Sequence, residues 1–216
     1  MSATGPMSDV QLDTQFSKAR IEMLCDGVFA IAMTLLVLEL KVPELPKPLT
    51  SATIWHALGE HRLGFFAYFL SFMLGGSFWI QHHVLFHYLA HATRKLAMLN
   101  LFFLMFVSLL PFTTSVFAHY GPSGFVFYFG NQFILGLLLA AQWWLATRTR
   151  LLRSGDDVNR RRFATMLVAL PTMFGFLLAA SLFDPESAGL AVFPGLIVIL
   201  AIRKIAERRA RAALGS

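Results

Sequence analysis

The chain has 216 residues, 56% of them hydrophobic and only 14% charged, with 22 phenylalanines and a formal net charge of +6. Soluble domains carry about 25% charged residues, so this composition excludes an ordinary water-soluble domain and fits a polytopic membrane protein. The basic surplus does not point to nucleic acid, because it lies in short connections and a tail beside apolar spans; the single cysteine, Cys25, excludes an intrachain disulfide.

Residues 1–17 are polar and lack the basic-then-apolar pattern of a signal peptide, so they read as a flexible leader ahead of a retained first span. That span, about Ile21–Leu40, approaches the roughly 20 apolar residues a bilayer requires, yet it opens with Arg20, Glu22 and Asp26. Its apolar half places Ile31, Thr34, Leu35 and Leu38 at i, i+3, i+4 and i+7, which is one helical face. An acidic entrance followed by a narrow aliphatic stripe is a candidate pore wall. Prolines at 43, 46 and 48 stop the helix, and Ser51–Glu60 is predicted to be a short amphipathic surface turn. Further spans follow at about Gly64–Leu89, Leu96–Ala118, Gly124–Thr147, Phe163–Phe183 and Ala188–Ile202. Pro111 and Pro171 should kink the third and fifth. Gly75-Gly76 reads as a close-packing site, and Trp143 and Trp144 as an interfacial belt.

Of the 18 Lys and Arg residues, only Lys41, Lys47 and Arg62 lie in the connections after the first, third and fifth spans. The other basic residues, among them Arg160–Arg162, flank the opposite ends. By the positive-inside rule both termini are cytoplasmic, which an even number of spans requires. The expected fold is all-α: a polytopic membrane protein with six transmembrane helices per subunit. Its domains are the leader 1–17, a transmembrane domain 18–204 and a basic cytoplasmic tail 205–216.

Few residues offer chemistry. Asp26 lies inside the membrane, where an unpaired carboxylate costs several kcal/mol. It is either a carboxylate satisfied by Arg20 and nearby histidines, or a proton relay or cation site. His82, His83, His87 and His91 cluster at the cytoplasmic end of the second span. A metal would need further ligand clusters elsewhere, so imidazoles and Trp79 are expected to donate to acceptors on neighbouring helices, with Asp26, Glu22 and Asn100 available. Such bonds are worth about 0.6–2 kcal/mol each. No nucleophile elbow, phosphate loop or zinc-protease motif occurs, so no enzyme is expected and no cofactor beyond a permeant ion.

Three stretches resemble the transmembrane protein 175 family of endolysosomal potassium channels and their prokaryotic homologues. RIEMLCDGVFAIAMTLLVLEL, from Arg20, resembles the family's R-x-x-x-F-S-D-G-V-F-A-I-A-x-T-L-L-V-L signature. SFWIQHHVLFHYL is similar to its W-x-x-H-H-x-x-F-H segment, and LNLFFLMFVSLLPFTTSV to its L-N-L-x-F-L-x-x-V-x-L-L-P-F-x-T segment. The resemblance implies a single-repeat, six-helix subunit that forms a homotetramer in a prokaryotic plasma membrane, with the first helix lining a central pore. It implies aliphatic constriction rings at Ile31, Leu35 and Leu38 and a Thr34 hydroxyl layer linked to potassium preference. It further implies a buried polar network of Arg20, Asp26, Trp79 and His83, to which position 25 and Asn100 belong. The family's Phe-Ser reads Leu24-Cys25 here, so a thiol, a weaker donor, replaces a hydroxyl.

The expected function is therefore a potassium-permeable cation channel with an apolar gate. Copies of Ile31 or Leu35 around an axis make a neck that gates by dewetting when narrow and passes a partly hydrated ion when wider. The alternative is a proton-coupled secondary transporter using Asp26 and the second-span histidines. The absence of convincing similarity between spans 1–3 and 4–6 counts against it.

Overall fold

A computed structural model describes residues 17–42, 50–153 and 157–184. The predicted sixth span at 188–202, the basic tail and the leader up to residue 16 lie outside them. The described residues form α1 (Lys18–Leu35), α2 (Ser51–Glu60), α3 (Arg62–Tyr88), α4 (Arg94–Ser108), α5 (Leu110–Tyr120), α6 (Phe125–Arg148) and α7 (Asp157–Phe183). There is no β-strand among them; Leu89 and Leu152 pair in an isolated bridge.

Among the described residues four helical stretches are long and apolar enough to cross a membrane: Lys18–Glu39, Arg62–Tyr88, Arg94–Arg148 and Asn159–Phe183. The first includes a 3-10 turn, Leu36–Glu39, that tightens the end of α1. The third is 55 residues long. As a straight helix it would reach about 80 Å, far beyond a hydrocarbon core of about 30 Å, and the sequence folds it into a hairpin. Pro111 has no N–H to give to the preceding turn, and the helix breaks there into α4 and α5. At the tip Gly121 takes φ 55, the left-handed region that favours glycine. A Cβ on Gly124 would lie 2.6 Å from the Val116 carbonyl oxygen, so only glycine lets the chain turn this tightly into α6. The helix then packs back along α5 and α4.

The predicted surface turn is a full helix with the predicted ends, because Thr50 caps it. Thr50 Oγ1 accepts from the Thr53 amide at 3.2 Å, and Thr53 Oγ1 accepts from the Thr50 amide at 3.0 Å. This is a capping box with threonine in the place usually held by Glu or Gln. At the other end of the bundle the 88–92 and 149–153 connections are stitched by backbone bonds, Ala90 N to Leu151 O at 2.8 Å and Arg153 N to Tyr88 O at 2.9 Å.

Pro171 lies inside α7. Its ring fits against Gly136 of α6, where a Cβ would sit 3.0 Å from Pro171 Cδ. Trp143 and Trp144 part company: Trp144 is exposed beneath the Arg148 guanidinium, 5.2 Å from its ring centre. Trp143 turns inward against Tyr88 and Phe163 and takes no part in a surface belt.

Candidate functional site

α1 has two unlike halves. Ile21, Cys25, Phe29, Ala32 and Leu36 are buried against the rest of the chain; they recur at i, i+4, i+8, i+11 and i+15, one helical stripe. The opposite half stays open. Ile31 is 61%, Leu35 42% and Leu38 68% exposed, and Asp26, Gly27, Ala30 and Thr34 are exposed with them. The Thr34 hydroxyl reaches back to its own helix, to the Ala30 and Ile31 carbonyls at 2.9 Å each.

Three side chains hold the buried stripe in register. Asn100 Nδ2 of α4 donates to Cys25 Sγ at 3.2 Å, and its Oδ1 lies 2.8 Å from His82 Nε2 of α3. The same His82 nitrogen is 3.5 Å from Cys25 Sγ. A carboxamide oxygen only accepts, so Nε2 carries the proton and donates to Asn100. The loop of contacts thus joins α1, α3 and α4 deep in the bundle, where all three residues are at most 3% exposed. Aromatic rings close around it. His82 stacks on Phe103 at 5.5 Å with an 8° interplanar angle and on Phe86 at 4.3 Å, and Phe29 of α1 meets Phe103 at 5.9 Å.

A second tie lies nearer the open half. Trp79 Nε1 donates to Asp26 Oδ1 at 2.8 Å, linking α3 to α1. Asp26 is therefore held by an indole, not by Arg20 or an imidazole. Arg20 is exposed on α1, and Lys18 takes the α1 carboxylate nearby, 3.9 Å from Glu22. His83 is also exposed; its ring lies 6.0 Å from that of Trp79 and it does not reach Cys25 or Asn100.

The structure thus joins Cys25 with Asn100 and Asp26 with Trp79, sets His83 against the Trp79 ring at the edge of the second group, and leaves Arg20 outside both. His82 is the residue that the family motif, read as a string, did not single out. Helix phase carries the signal. Ser71, Gly75, Phe78, His82 and Leu85 form the buried stripe of α3, and the next position is turned about 100° away. The same stripe holds another group missed from sequence. Ser71 Oγ is 3.0 Å from Tyr128 OH and accepts from Thr114 Oγ1 at 2.8 Å, tying α3, α5 and α6. His83, His87 and His91 are all exposed, and among the described residues no three His, Cys, Asp or Glu side chains converge as metal ligands do.

The thiol is the weak member of the triad. A serine oxygen accepts more strongly from an amide and at shorter range. Cys25→Ser should stabilise the protein by about 0.5–1 kcal/mol, seen as a higher unfolding temperature in detergent. A lower temperature would mean that the bulk of the sulfur, not its hydrogen bond, matters at this junction.

Comparison with known proteins agrees with the motifs. The family model for the endosomal/lysosomal potassium channel TMEM175 matches residues 20–111. A potassium channel of Streptomyces collinus is 36% identical over 168 residues, which are 72% of this chain and 80% of that one. The Gallus gallus endosomal/lysosomal proton channel TMEM175 is 39% identical over 105 residues, 46% of this chain but only 21% of that one. Among solved structures, that of a lysosomal potassium-selective channel TMEM175 homolog from Chamaesiphon minutus has a TM-score of 0.72 at 25% identity. It covers 88% of this chain and 97% of its own.

Proposed function

The chain belongs to the TMEM175 family, and on that premise we propose that it is a potassium-permeable membrane channel whose conduction path is enclosed by copies of α1. The observation that carries this is the presence of a carboxylate and a hydroxyl, Asp26 and Thr34, on the half of α1 that the chain leaves open. Facing lipid, Asp26 would cost several kcal/mol. Facing a watery axis it stays hydrated and keeps its Trp79 bond at little cost.

The aliphatic side chains on that half then become rings. Ile31, Leu35 and Leu38 form an apolar neck that offers an ion no replacement for its water. Potassium sheds water more easily than sodium, so a tight neck favours it modestly. Thr34 spends its proton on the helix's own carbonyls, so its oxygen lone pairs are what it turns outward, as a cation ligand between the rings. The Cys25, His82 and Asn100 junction and the Asp26–Trp79 bond set the rotation of α1 and so decide which side chains reach the axis.

The finer architecture belongs to the same proposal. A homotetramer would place four α1 helices about one axis. Residues 188–202 would supply a sixth pass, which brings both termini to the cytoplasmic side. The channel domain would then run from 18 to 204, followed by the basic tail, in a prokaryotic plasma membrane.

The vertebrate relative's name, a proton channel, supports a second conducted species, because a wetted neck that admits potassium also admits a chain of water along which protons move. Purified protein in vesicles with a potassium gradient should generate a membrane potential that follows that gradient and weakens when sodium replaces potassium. A potential that ignores potassium and follows pH would make protons the main charge carrier. Slow potassium uptake driven by a pH gradient would instead make the protein a transporter.

A further inference from the structure

We propose that a cavity at the start of α4 binds one anionic glycerophospholipid from the adjoining leaflet. The cavity has a volume of about 780 Å³ and lies between the α3–α4 connection and the end of α6. Its polar lining is His91, Arg94 and Lys95, all exposed, with Thr93 and Thr149 beside them. Thr93 caps α4 and accepts from the Leu96 amide at 3.4 Å. Among the described residues no Asp or Glu lines the cavity.

The remaining wall is apolar. Met98, Leu99 and Phe102 descend α4, facing Leu145 of α6 and Leu151 beyond it. Met98 is 49% and Phe102 53% exposed, so the apolar wall continues onto the outer surface of a bundle that sits in lipid. Charge and shape together select the occupant. An inorganic anion would use the cations and leave the apolar wall wet. A neutral hydrocarbon would fill the wall and leave the cations unmatched. A phosphate with an acyl chain attached satisfies both, and basic pockets at membrane-helix ends bind such headgroups. The phosphate lies among His91, Arg94 and Lys95, with one chain along Met98, Leu99 and Phe102.

Native mass spectrometry of the detergent-purified protein, titrated with dioleoyl phosphatidylglycerol or dioleoyl phosphatidylcholine, tests this. The anionic lipid should bind one per chain, well below the concentration that phosphatidylcholine needs. Two cations near a membrane surface are worth roughly 30-fold together, so R94Q/K95Q should weaken phosphatidylglycerol binding about 30-fold. R148Q/R161Q removes the same charge from α6 and α7 and should bind as the unaltered protein does. Inorganic phosphate should not displace the lipid. Equal binding of the two lipids by the unaltered protein overturns the proposal without reference to any variant. Equal losses in the two double variants would show diffuse surface charge, and displacement by phosphate would show a plain anion site. A Met98→Cys variant that forms disulfides between copies through that position, with no lipid retained, would assign the cavity to a subunit contact. Each of these results contradicts a lipid site.

Discussion

Leu35→Asn should raise potassium flux through reconstituted protein by at least about tenfold and erode the preference over sodium. Leu35 is 42% exposed on the open half of α1, so its replacement removes little packing and should change stability by no more than about 0.5 kcal/mol. Several amides at one level of the path give water a hydrogen-bonded foothold where a leucine ring would expel it. A tenfold gain requires only about 1.4 kcal/mol off the barrier, a modest fraction of what dehydrating an ion in an apolar neck costs. Selectivity falls because a wetted, wider neck passes ions with their water, which hides the difference between potassium and sodium. Vesicle flux with either cation measures both effects. Unchanged flux in a folded Leu35→Asn variant would remove this position from the path.

His82→Ala should cost about 3 kcal/mol of stability, and His83→Ala less than about 0.5 kcal/mol. The two residues are neighbours in sequence and chemically identical, so the comparison isolates position. His82 is 3% exposed, stacked between Phe86 and Phe103 and bonded to Asn100. Its loss leaves a void that rigid aromatic neighbours fill poorly, at a few kcal/mol for a large buried ring. It also strands the Asn100 oxygen, at about 1–3 kcal/mol. His83 is exposed, with its ring 6.0 Å from that of Trp79. Thermal unfolding in detergent separates the two. Flux should also fall in the His82 variant, because α1 loses the contact that fixes its rotation. Equal shifts for both variants would mean that the junction of α1, α3 and α4 does not hold the bundle.

These two positions also mark what the sequence made legible. The first five spans, the point at Pro111 where the third departs from a straight helix and the ends of α2 rest on local chemistry: apolar run length, a missing N–H and a capping threonine pair. Local chemistry is written in the chain, and those elements stand where it places them. The uncovered stripe Ile31–Thr34–Leu35–Leu38 was equally readable from spacing. Partnership across helices was not. A motif places two histidines side by side and says nothing of which one faces inward, whereas the phase of the buried stripe through Ser71, Gly75 and Phe78 favours His82. Asp26 illustrates the same limit. Charge alone suggested Arg20 as its partner, but Arg20 emerges on the exposed side of α1 and the Trp79 indole fills the place. The buried Ser71–Thr114–Tyr128 group was invisible for a similar reason. Its members are ordinary polar residues in three separate spans, and only packing brings them within bonding distance.

On the proposed function, symmetry-related copies of α1 enclose the route for cations. A cryo-electron microscopy map of the protein reconstituted in lipid nanodiscs tests it most directly. The expected map is a four-fold particle with α1 innermost, Thr34 oxygens facing one another across the axis, and Ile31 and Leu35 side chains closing the narrowest point. A map in which those three side chains touch acyl chains, with another helix along the axis, would contradict it.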